Sequence, residues 1–199
     1  MAAKIKEMEQ MNQDARPLTP LPGNLAIERV LDERLKSRTP FSLCHLELEN
    51  FHPFLAQYGY ARAGALLYEM GVLVHRSVAG FGATEDFAGH AGGDKFVMVV
   101  TPERVASVCE AVVKGFDAEV LRHVNAEDRD AKAIRRCDGG GGEMLSPITT
   151  VSISVLDCDI DAYASAVEVS RAVLGLKDSL KNNGVAFGKE QGGQQGEPS

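Results

Sequence analysis

The chain has 199 residues, a formal net charge of −7, 44% hydrophobic residues and 25% charged residues. This length and this apolar content predict one globular domain with a sizeable core. An acidic surface repels nucleic acids and anionic lipid headgroups, so neither is expected as a partner. No apolar run approaches the roughly 20 residues of a membrane helix, and the opening residues MAAKIKEMEQMNQD lack the apolar stretch of a signal peptide. A cytoplasmic protein that does not bind membranes is therefore expected.

Hydrophobic periodicity predicts helices and strands that alternate along the chain. In chain order they are a helix over 25–36 capped by Asn24, a central strand over 41–48, a helix over 63–78, a hairpin over 87–100 that turns at 91–94, a helix over 102–116, a strand over 148–155, a helix over 161–181, and a short last strand in GVAFG. In the first helix, we expect Leu25, Val30, Leu31 and Leu35 to face inward.

Three segments lie outside these elements. Residues 1–16 are predicted to form an N-terminal arm or linker helix, residues 17–190 the domain, and residues 191–199 a disordered tail. Within the domain, residues 117–147 are charged and contain four consecutive glycines, which predicts an insert with a helix and a flexible turn.

The four cysteines are widely scattered, at positions 44, 109, 137 and 158. Neither a C-x-x-C motif nor a histidine pair at metal-ligand spacing occurs in the sequence. Reduced thiols in a bacterial-type cytosol are expected.

The element order is that of a ferredoxin-like α+β core, with a hairpin in the middle. We therefore predict a mostly antiparallel five-stranded sheet flanked by helices, with a helix and hairpin inserted. The stretch HAGGDKF turns that central hairpin, and Gly92 and Gly93 can supply its positive-φ positions.

Five motifs in register resemble the GGDEF family, the catalytic domain of diguanylate cyclases, over most of the chain. LTPLPGN resembles L-T-G-L-P-N, LELENFHPFLAQYGYARAG resembles D-x-D-x-F-K-x-x-N-D-x-x-G-H-x-x-G-D, HAGGDKF resembles R-x-G-G-D-E-F, VSISV resembles the S-x-G strand, and LGLKDSLKNNGV resembles Y-x-A-K-x-x-G-R-N. The branch it is most similar to reads L-P-G-N at the entry and carries a long insert before the fifth motif.

The resemblance implies a site in which GTP lies over the hairpin with one or two Mg²⁺ on its phosphates. The metal ligands would be Glu47, at the end of the first strand, and Asp94, the third residue of the signature Gly92, Gly93, Asp94, Lys95, Phe96. The family has a carboxylate where this chain has Lys95, and an ammonium there disfavours a divalent cation. Glu47 and Asp94 are also readily explained as solvent-exposed carboxylates, so Mg²⁺ is expected only if a nucleotide binds, and no other cofactor is expected.

The positions that read guanine in the family hold Leu55 and Gly64, neither of which has a polar side chain. Each lost hydrogen bond to the base costs roughly 1–3 kcal/mol. The phosphate-binding positions hold Lys177 and Lys181, which also suit the C-terminal end of a helix.

Two further family positions are changed. His52 follows the phenylalanine of the second motif and His90 precedes the two glycines; both are expected to be exposed polar residues. The product-inhibition motif R-x-x-D is reduced to Ala83 and Asp86, and the missing arginine is the residue that would contact guanine and phosphate.

These substitutions predict a degenerate, catalytically inactive GGDEF domain that acts through a signalling partner or as a homodimer in a cyclic di-GMP-related pathway. Two alternatives stay open. The first is a regulatory domain that binds GTP or cyclic di-GMP, and the second is an active cyclase with altered base recognition. The surfaces that we expect to meet a partner are the N-terminal arm, the insert and an apolar face around Leu55.

Overall fold

The computed structural model describes the backbone of residues 18–137, 142–158, 161–182 and 187–191, and the side chains of residues 18–136, 142–158 and 161–176. The strands are β1 (Phe41–Glu49), β2 (Phe87–Gly92), β3 (Lys95–Val100), β4 (Ala133–Cys137), β5 (Glu143–Pro147), β6 (Thr150–Cys158) and β7 (Phe187–Gln191). The helices are α1 (Asn24–Ser37), α2 (Phe51–Phe81), α3 (Val105–His123), α4 (Ala126–Ala131) and α5 (Ala166–Asn182), and a 3₁₀ turn (Pro102–Arg104) precedes α3.

The main sheet has five strands in the order β2-β3-β1-β6-β7, so β1 is central as predicted. Strand β1 runs antiparallel to both β3 and β6, β2 is antiparallel to β3, and β7 is parallel to β6. The order β2-β3-β1-β6 is that of a ferredoxin-like core. The α+β class with a mostly antiparallel sheet is therefore confirmed, and β4 and β5 form a second, two-stranded sheet.

The sheet is covered on both faces, which explains why its strands are apolar almost throughout. Along β1, Cys44, Leu46 and Leu48 belong to the core cluster shared with α2 and α3. Alternate residues point to the opposite face, where Leu43 packs in a second cluster with residues of α1 and α5. The hairpin turn between β2 and β3 and the end of β1 lie at one edge of this two-sided core.

Helix α1 occupies nearly the predicted range, but two details of the prediction are wrong. Gly23 is the N-cap, Asn24 is already helical, and no side chain caps the helix. Leu25 is 64% exposed, because the buried stripe runs through Ala26, Ile27 and Leu31, which lie on another side of the helix. Leu31 is buried as expected, and Val30 and Leu35 pack against the second cluster while partly exposed.

Helix α2 is much longer than the predicted 63–78 and begins directly after β1. It is broken at Gly59, whose φ of 77° and ψ of 171° are not helical. The first half carries Phe51, Phe54, Leu55 and Tyr58, which all contact the core. Their i, i+3, i+4, i+7 spacing was a usable sequence signal for this half-helix.

Helix α3 extends to His123, seven residues past the predicted end at 116. Val120, one turn after Phe116, is buried and continues the apolar stripe. The first residues assigned to the insert therefore belong to the core helix.

Helix α5 begins at Ala166, five residues later than predicted. The backbone N–H of Glu168 donates to the Ser165 hydroxyl at 3.4 Å, and the Glu168 carboxylate accepts from the Ala164 N–H at 2.8 Å. Ser165 and Glu168 have the S-x-x-E spacing of a capping box, a signal in the sequence that marks this start.

The last two strands are shifted from their predicted ranges. Strand β6 covers Thr150–Cys158 rather than 148–155, and β7 covers Phe187–Gln191 rather than the GVAFG stretch. The N-terminal arm over 1–16, residues 138–141 with three of the four consecutive glycines, and residues 192–199 lie outside the described residues.

The insert contributes a helix and a hairpin, α4 and β4–β5, as predicted. It is not a separate unit, because Ile134 of β4 is fully buried in the main core cluster. Asp128 of α4 is also buried and accepts a short hydrogen bond from the Tyr58 hydroxyl. The insert is thus anchored to the first half of α2.

Three cysteines of the described chain, at positions 44, 109 and 158, are free thiols and buried. Burial raises the pKa of Cys158 to about 12, so this thiol is protonated and unreactive at neutral pH. Among the helices in the described ranges, none combines the length and apolarity needed to cross a membrane.

Candidate functional site

The signature turn has the tight geometry that its glycines predict. Gly92 and Gly93 have φ values of 114° and 58°, in the region that favours glycine. The β2–β3 register shifts between His90 and Gly92, and the Leu48 N–H donates to the Asp94 carbonyl at 3.1 Å. The turn is therefore tied to the end of β1, which brings the two predicted metal-ligand positions to one edge of the sheet.

At this edge, the Asp94 carboxylate already has a cationic partner within the chain. Lys95 Nζ donates to Asp94 Oδ1 at 2.8 Å, with the lysine side chain 42% exposed and the aspartate side chain 24% exposed. Glu47 is half-buried and lies directly across from Lys95 in the β1–β3 register. The structure thus places Glu47, Asp94 and Lys95 together, with the ammonium next to the positions that would hold a metal.

Across the described ranges, no group of three or more His, Cys, Asp or Glu side chains is arranged to hold a metal ion. Glu49, two residues after Glu47, accepts a hydrogen bond from the Ser152 hydroxyl at 2.8 Å. The groups near the turn are therefore two carboxylates, a number that Mg²⁺ on nucleotide phosphates commonly uses, and one ammonium bonded to one of them, which opposes a divalent cation.

The positions predicted to have lost guanine recognition are apolar in the structure too. Leu55 is half-buried and packs on the main core cluster, so it does not form the exposed apolar face that was expected. A Cβ atom added to Gly64 would lie 3.7 Å from Leu18 Cδ2. Leu18 is thus close to the place where an aspartate side chain at position 64 would extend.

Asp86 is a buried structural residue rather than a remnant on the surface. Its side chain has 0% exposure and accepts from the Thr101 N–H at 2.9 Å, the Thr101 hydroxyl at 2.8 Å and the Ala83 N–H at 2.7 Å. The Arg34 guanidinium lies 3.8 Å from Asp86 Oδ1 and donates to the Glu85 carbonyl at 2.7 Å. Asp86 and Arg34 together fasten α1, the loop before β2 and the end of β3.

This network also explains a glycine in the loop. A Cβ atom added to Gly82 would lie 2.7 Å from Asp86 Oδ2 and 2.6 Å from the Val78 carbonyl oxygen. Any side chain at position 82 would force the loop and the carboxylate apart. Local sequence patterns do not predict this arrangement, because Arg34 and Asp86 are far apart along the chain.

His90 was expected to be exposed, and this prediction is wrong, because the residue is only 2% exposed. Nε2 lies 3.0 Å from the Gly93 carbonyl oxygen and Nδ1 lies 3.1 Å from the Thr19 hydroxyl, and the ring stacks on Phe96 at 4.7 Å. Because a carbonyl oxygen only accepts, Nε2 carries the proton in this arrangement. His90 therefore connects the signature turn to the segment 18–23 that leads into α1, called the entry segment below.

The other predicted residues lie on α2 and α5. His52 is exposed on α2, as expected. Lys177 and Lys181 lie in α5, but their side chains fall outside the described residues. Their predicted role in phosphate binding stays a prediction.

The contact between Tyr58 and Asp128 was not predicted from the sequence. Asp128 also accepts from the Arg135 N–H at 3.1 Å, and Arg62 lies over the Tyr58 ring at 5.0 Å. Burial, together with the hydrogen bond to Asp128, raises the pKa of Tyr58 to about 12. The phenol is neutral at physiological pH and holds the insert against the helix that carries Leu55.

Comparison with known proteins gives a fold but no close relative. No protein-family model matches the chain, and no curated protein matches it. Solved structures do match. The GGDEF domain of DgcB from Caulobacter crescentus, in complex with c-di-GMP, has a TM-score of 0.62 at 17% identity, covering 92% of this chain and 94% of that one.

Two structures from Pseudomonas aeruginosa are similar to a comparable degree. The diguanylate cyclase SiaD, in complex with its activator SiaC, has a TM-score of 0.63 at 18% identity, covering 96% of this chain and 67% of that one. The FimX GGDEF domain has a TM-score of 0.61 at 17% identity, covering 89% of this chain and 99% of that one. The predicted resemblance to GGDEF domains is therefore confirmed at the level of the fold.

Proposed function

We propose that this chain is a GGDEF-fold domain that does not synthesise cyclic di-GMP and that acts through protein contacts in a cyclic di-GMP pathway. The pathway is supported by the similarity to DgcB, whose GGDEF domain was solved with c-di-GMP. A protein partner is supported by the similarity to SiaD, which was solved with its activator SiaC. A homodimer is the other form that such a contact can take.

The observation that carries the proposal is the 2.8 Å contact between Lys95 Nζ and Asp94 Oδ1. Phosphoryl transfer in this family needs metal ions that neutralise the charge of the phosphates. Here the carboxylate at the metal position is already paired, and a divalent cation would have to displace the ammonium or sit beside it. Solvent weakens the repulsion between the Lys95 ammonium and a divalent cation, because Lys95 is partly exposed. The interaction is still unfavourable to metal binding.

The base-reading positions support the same conclusion. Leu55 is packed on the core and Gly64 has Leu18 beside it, so neither position offers a hydrogen bond to a purine. Losing two such bonds weakens binding by about 10²-fold or more. The buried Asp86 makes its hydrogen bonds within the protein, which supports the loss of the product-binding site.

The experiment is a product assay with GTP in the presence of Mg²⁺ or Mn²⁺. Matched variants restore the family's residues, one with Lys95→Glu alone and one that adds Leu55→Asn and Gly64→Asp. The native chain is expected to form no cyclic di-GMP. Formation of cyclic di-GMP by the native chain would overturn the proposal and favour an active cyclase with altered base recognition.

Partner binding needs a separate measurement because inactivity alone does not establish it. Two apolar residues of the insert are exposed, Met144 at 47% and Leu145 at 65%. They are candidates for the surface that contacts a partner. We expect that changing both to Ser removes binding to a signalling partner or dissociates a homodimer. Light scattering detects the dimer directly, and an unchanged mass together with unchanged partner binding would exclude this surface.

A nucleotide-binding regulatory domain is the second candidate, favoured by the intact geometry of the Gly92–Gly93 turn. Thermal-shift titrations with GTP and with cyclic di-GMP, each with and without Mg²⁺, test it. A ligand at 100 times its Kd stabilises the fold by about 2.7 kcal/mol. A Mg²⁺-dependent shift with GTP would support this second candidate, and the absence of any shift would support the first.

A further inference from the structure

A cavity of about 240 Å³ lies between α1, α5 and the face of the sheet opposite the main core cluster. It is separate from the base-reading positions, which lie on α2. Its walls include Leu31 of α1, Leu43 of β1 and Val173 of α5. All three are buried, so the deep part of the cavity is apolar.

Polar side chains also line the cavity. Lys95 of the signature turn and His45 of β1 are among them, and Glu28 of α1 lines it with an exposed side chain. An ammonium has three N–H donors, and the bond from Lys95 to Asp94 uses one of them. The lining of the cavity therefore includes one cation and one anion.

The size of the cavity limits what it can hold. An apolar cavity of about 150 Å³ takes up benzene. The present cavity, at about 240 Å³, has room for a somewhat larger body of roughly ten non-hydrogen atoms. An apolar floor with a few convergent polar groups is the usual construction of a small-molecule site.

We propose that this cavity binds an apolar α-amino acid. The ligand's carboxylate would lie at Lys95, its ammonium at Glu28, and its side chain on the floor formed by Leu31, Leu43 and Val173. The argument is one of charge complementarity, because a purely anionic ligand would leave Glu28 opposed by like charge. A purely cationic ligand would meet the same difficulty at Lys95. The proposal is independent of whether the chain makes or binds any nucleotide.

Isothermal titration calorimetry on the full chain tests the ligand class. The probes are L-leucine, 4-methylpentanoate, which lacks the ammonium, and 3-methylbutylamine, which lacks the carboxylate. Leucine is expected to bind at least about tenfold more tightly than either analogue. Equal affinity for leucine and 4-methylpentanoate, or the absence of leucine binding at millimolar concentration, would overturn the proposal.

Two surface variants locate the site without disturbing the core. Glu28→Gln is expected to weaken leucine binding about tenfold and to leave 4-methylpentanoate unchanged. Lys95→Gln is expected to weaken both of these ligands and to leave the amine unchanged. Glu33→Gln is the matched control, because Glu33 is exposed on the same helix and is not among the residues that line the cavity. An equal effect of the Glu28 and Glu33 variants, or none from either, would place the ligand elsewhere and refute the assignment.

Discussion

Replacing Asp86 with alanine is expected to be among the most destabilising changes to a single polar residue. The variant leaves the N–H groups of Ala83 and Thr101 without their acceptor and removes the carboxylate beside Arg34. Arg34 is itself nearly buried, with a side chain 9% exposed, and breaking a buried ion pair costs about 3–5 kcal/mol. Arg34 keeps its hydrogen bond to the Glu85 carbonyl, so we expect a loss of about 3–4 kcal/mol.

Urea denaturation followed by circular dichroism measures this loss of unfolding free energy. The comparison is valid if the slope of the unfolding free energy against urea concentration is the same in both proteins. The matched control is Asp161→Ala. Asp161 pairs with Arg38 at 2.7 Å, closer than the buried pair, but the two side chains are 74% and 65% exposed. An exposed ion pair contributes about 0–1 kcal/mol. The comparison therefore separates burial from distance as the source of the stability.

Asp86→Asn refines the test because it keeps the shape and one acceptor oxygen. It retains an acceptor for Thr101 and removes the negative charge, so about 1–3 kcal/mol should be lost. A loss below about 1 kcal/mol for the alanine variant, or one equal to that of the Asp161 control, would refute the reasoning. It would mean that Asp86 is not the point at which α1, the loop and β3 are joined.

Two further predictions concern α2. The pKa of Tyr58 is about 12 in the folded chain and about 10 in the unfolded chain, so its contribution to stability is complete below pH 10 and declines as the pH rises through 12. Unfolding free energies measured across this range should show the decline, and Tyr58→Phe should lack it; an identical pH dependence would contradict the assignment. Gly71→Ala would place a Cβ 2.9 Å from Thr19 Cβ, whereas Gly80→Ala meets nothing within 4 Å. Thermal unfolding should show the Gly80 variant stabilised by up to about 1 kcal/mol and the Gly71 variant destabilised; stabilisation of both would mean that the entry segment does not pack on this helix.

Much of the fold follows from local patterns in the sequence. The central strand is a run of apolar residues with both faces covered, and the hairpin is marked by two glycines that take positive φ. Two helix starts that differ from the predicted ones also have signals in the sequence. The capping box at Ser165 and Glu168 marks the true start of α5, and the i, i+3, i+4, i+7 spacing after β1 marks the first half of α2.

The contacts that connect distant parts of the chain could not be predicted in this way. Asp86 meets Arg34, which is distant in the sequence, and Tyr58 meets Asp128 of the insert. Nothing in the composition around an aspartate or a histidine says whether it will be buried. His90 is the clearest case, because one of the groups that it contacts in the interior is the hydroxyl of Thr19, which is distant in sequence.

Three polar residues at positions where the GGDEF family binds ligands are engaged by partners within the same chain. Asp94 is paired with Lys95, His90 lies between Thr19 and Gly93, and Asp86 is enclosed by its own loop and Thr101. An intramolecular partner is always present at its contact distance, so a ligand must displace it as well as bind. Restoring one family residue therefore changes two interactions at once. Lys95→Glu would bring another carboxylate next to Asp94 and remove its cation, which disfavours the folded turn.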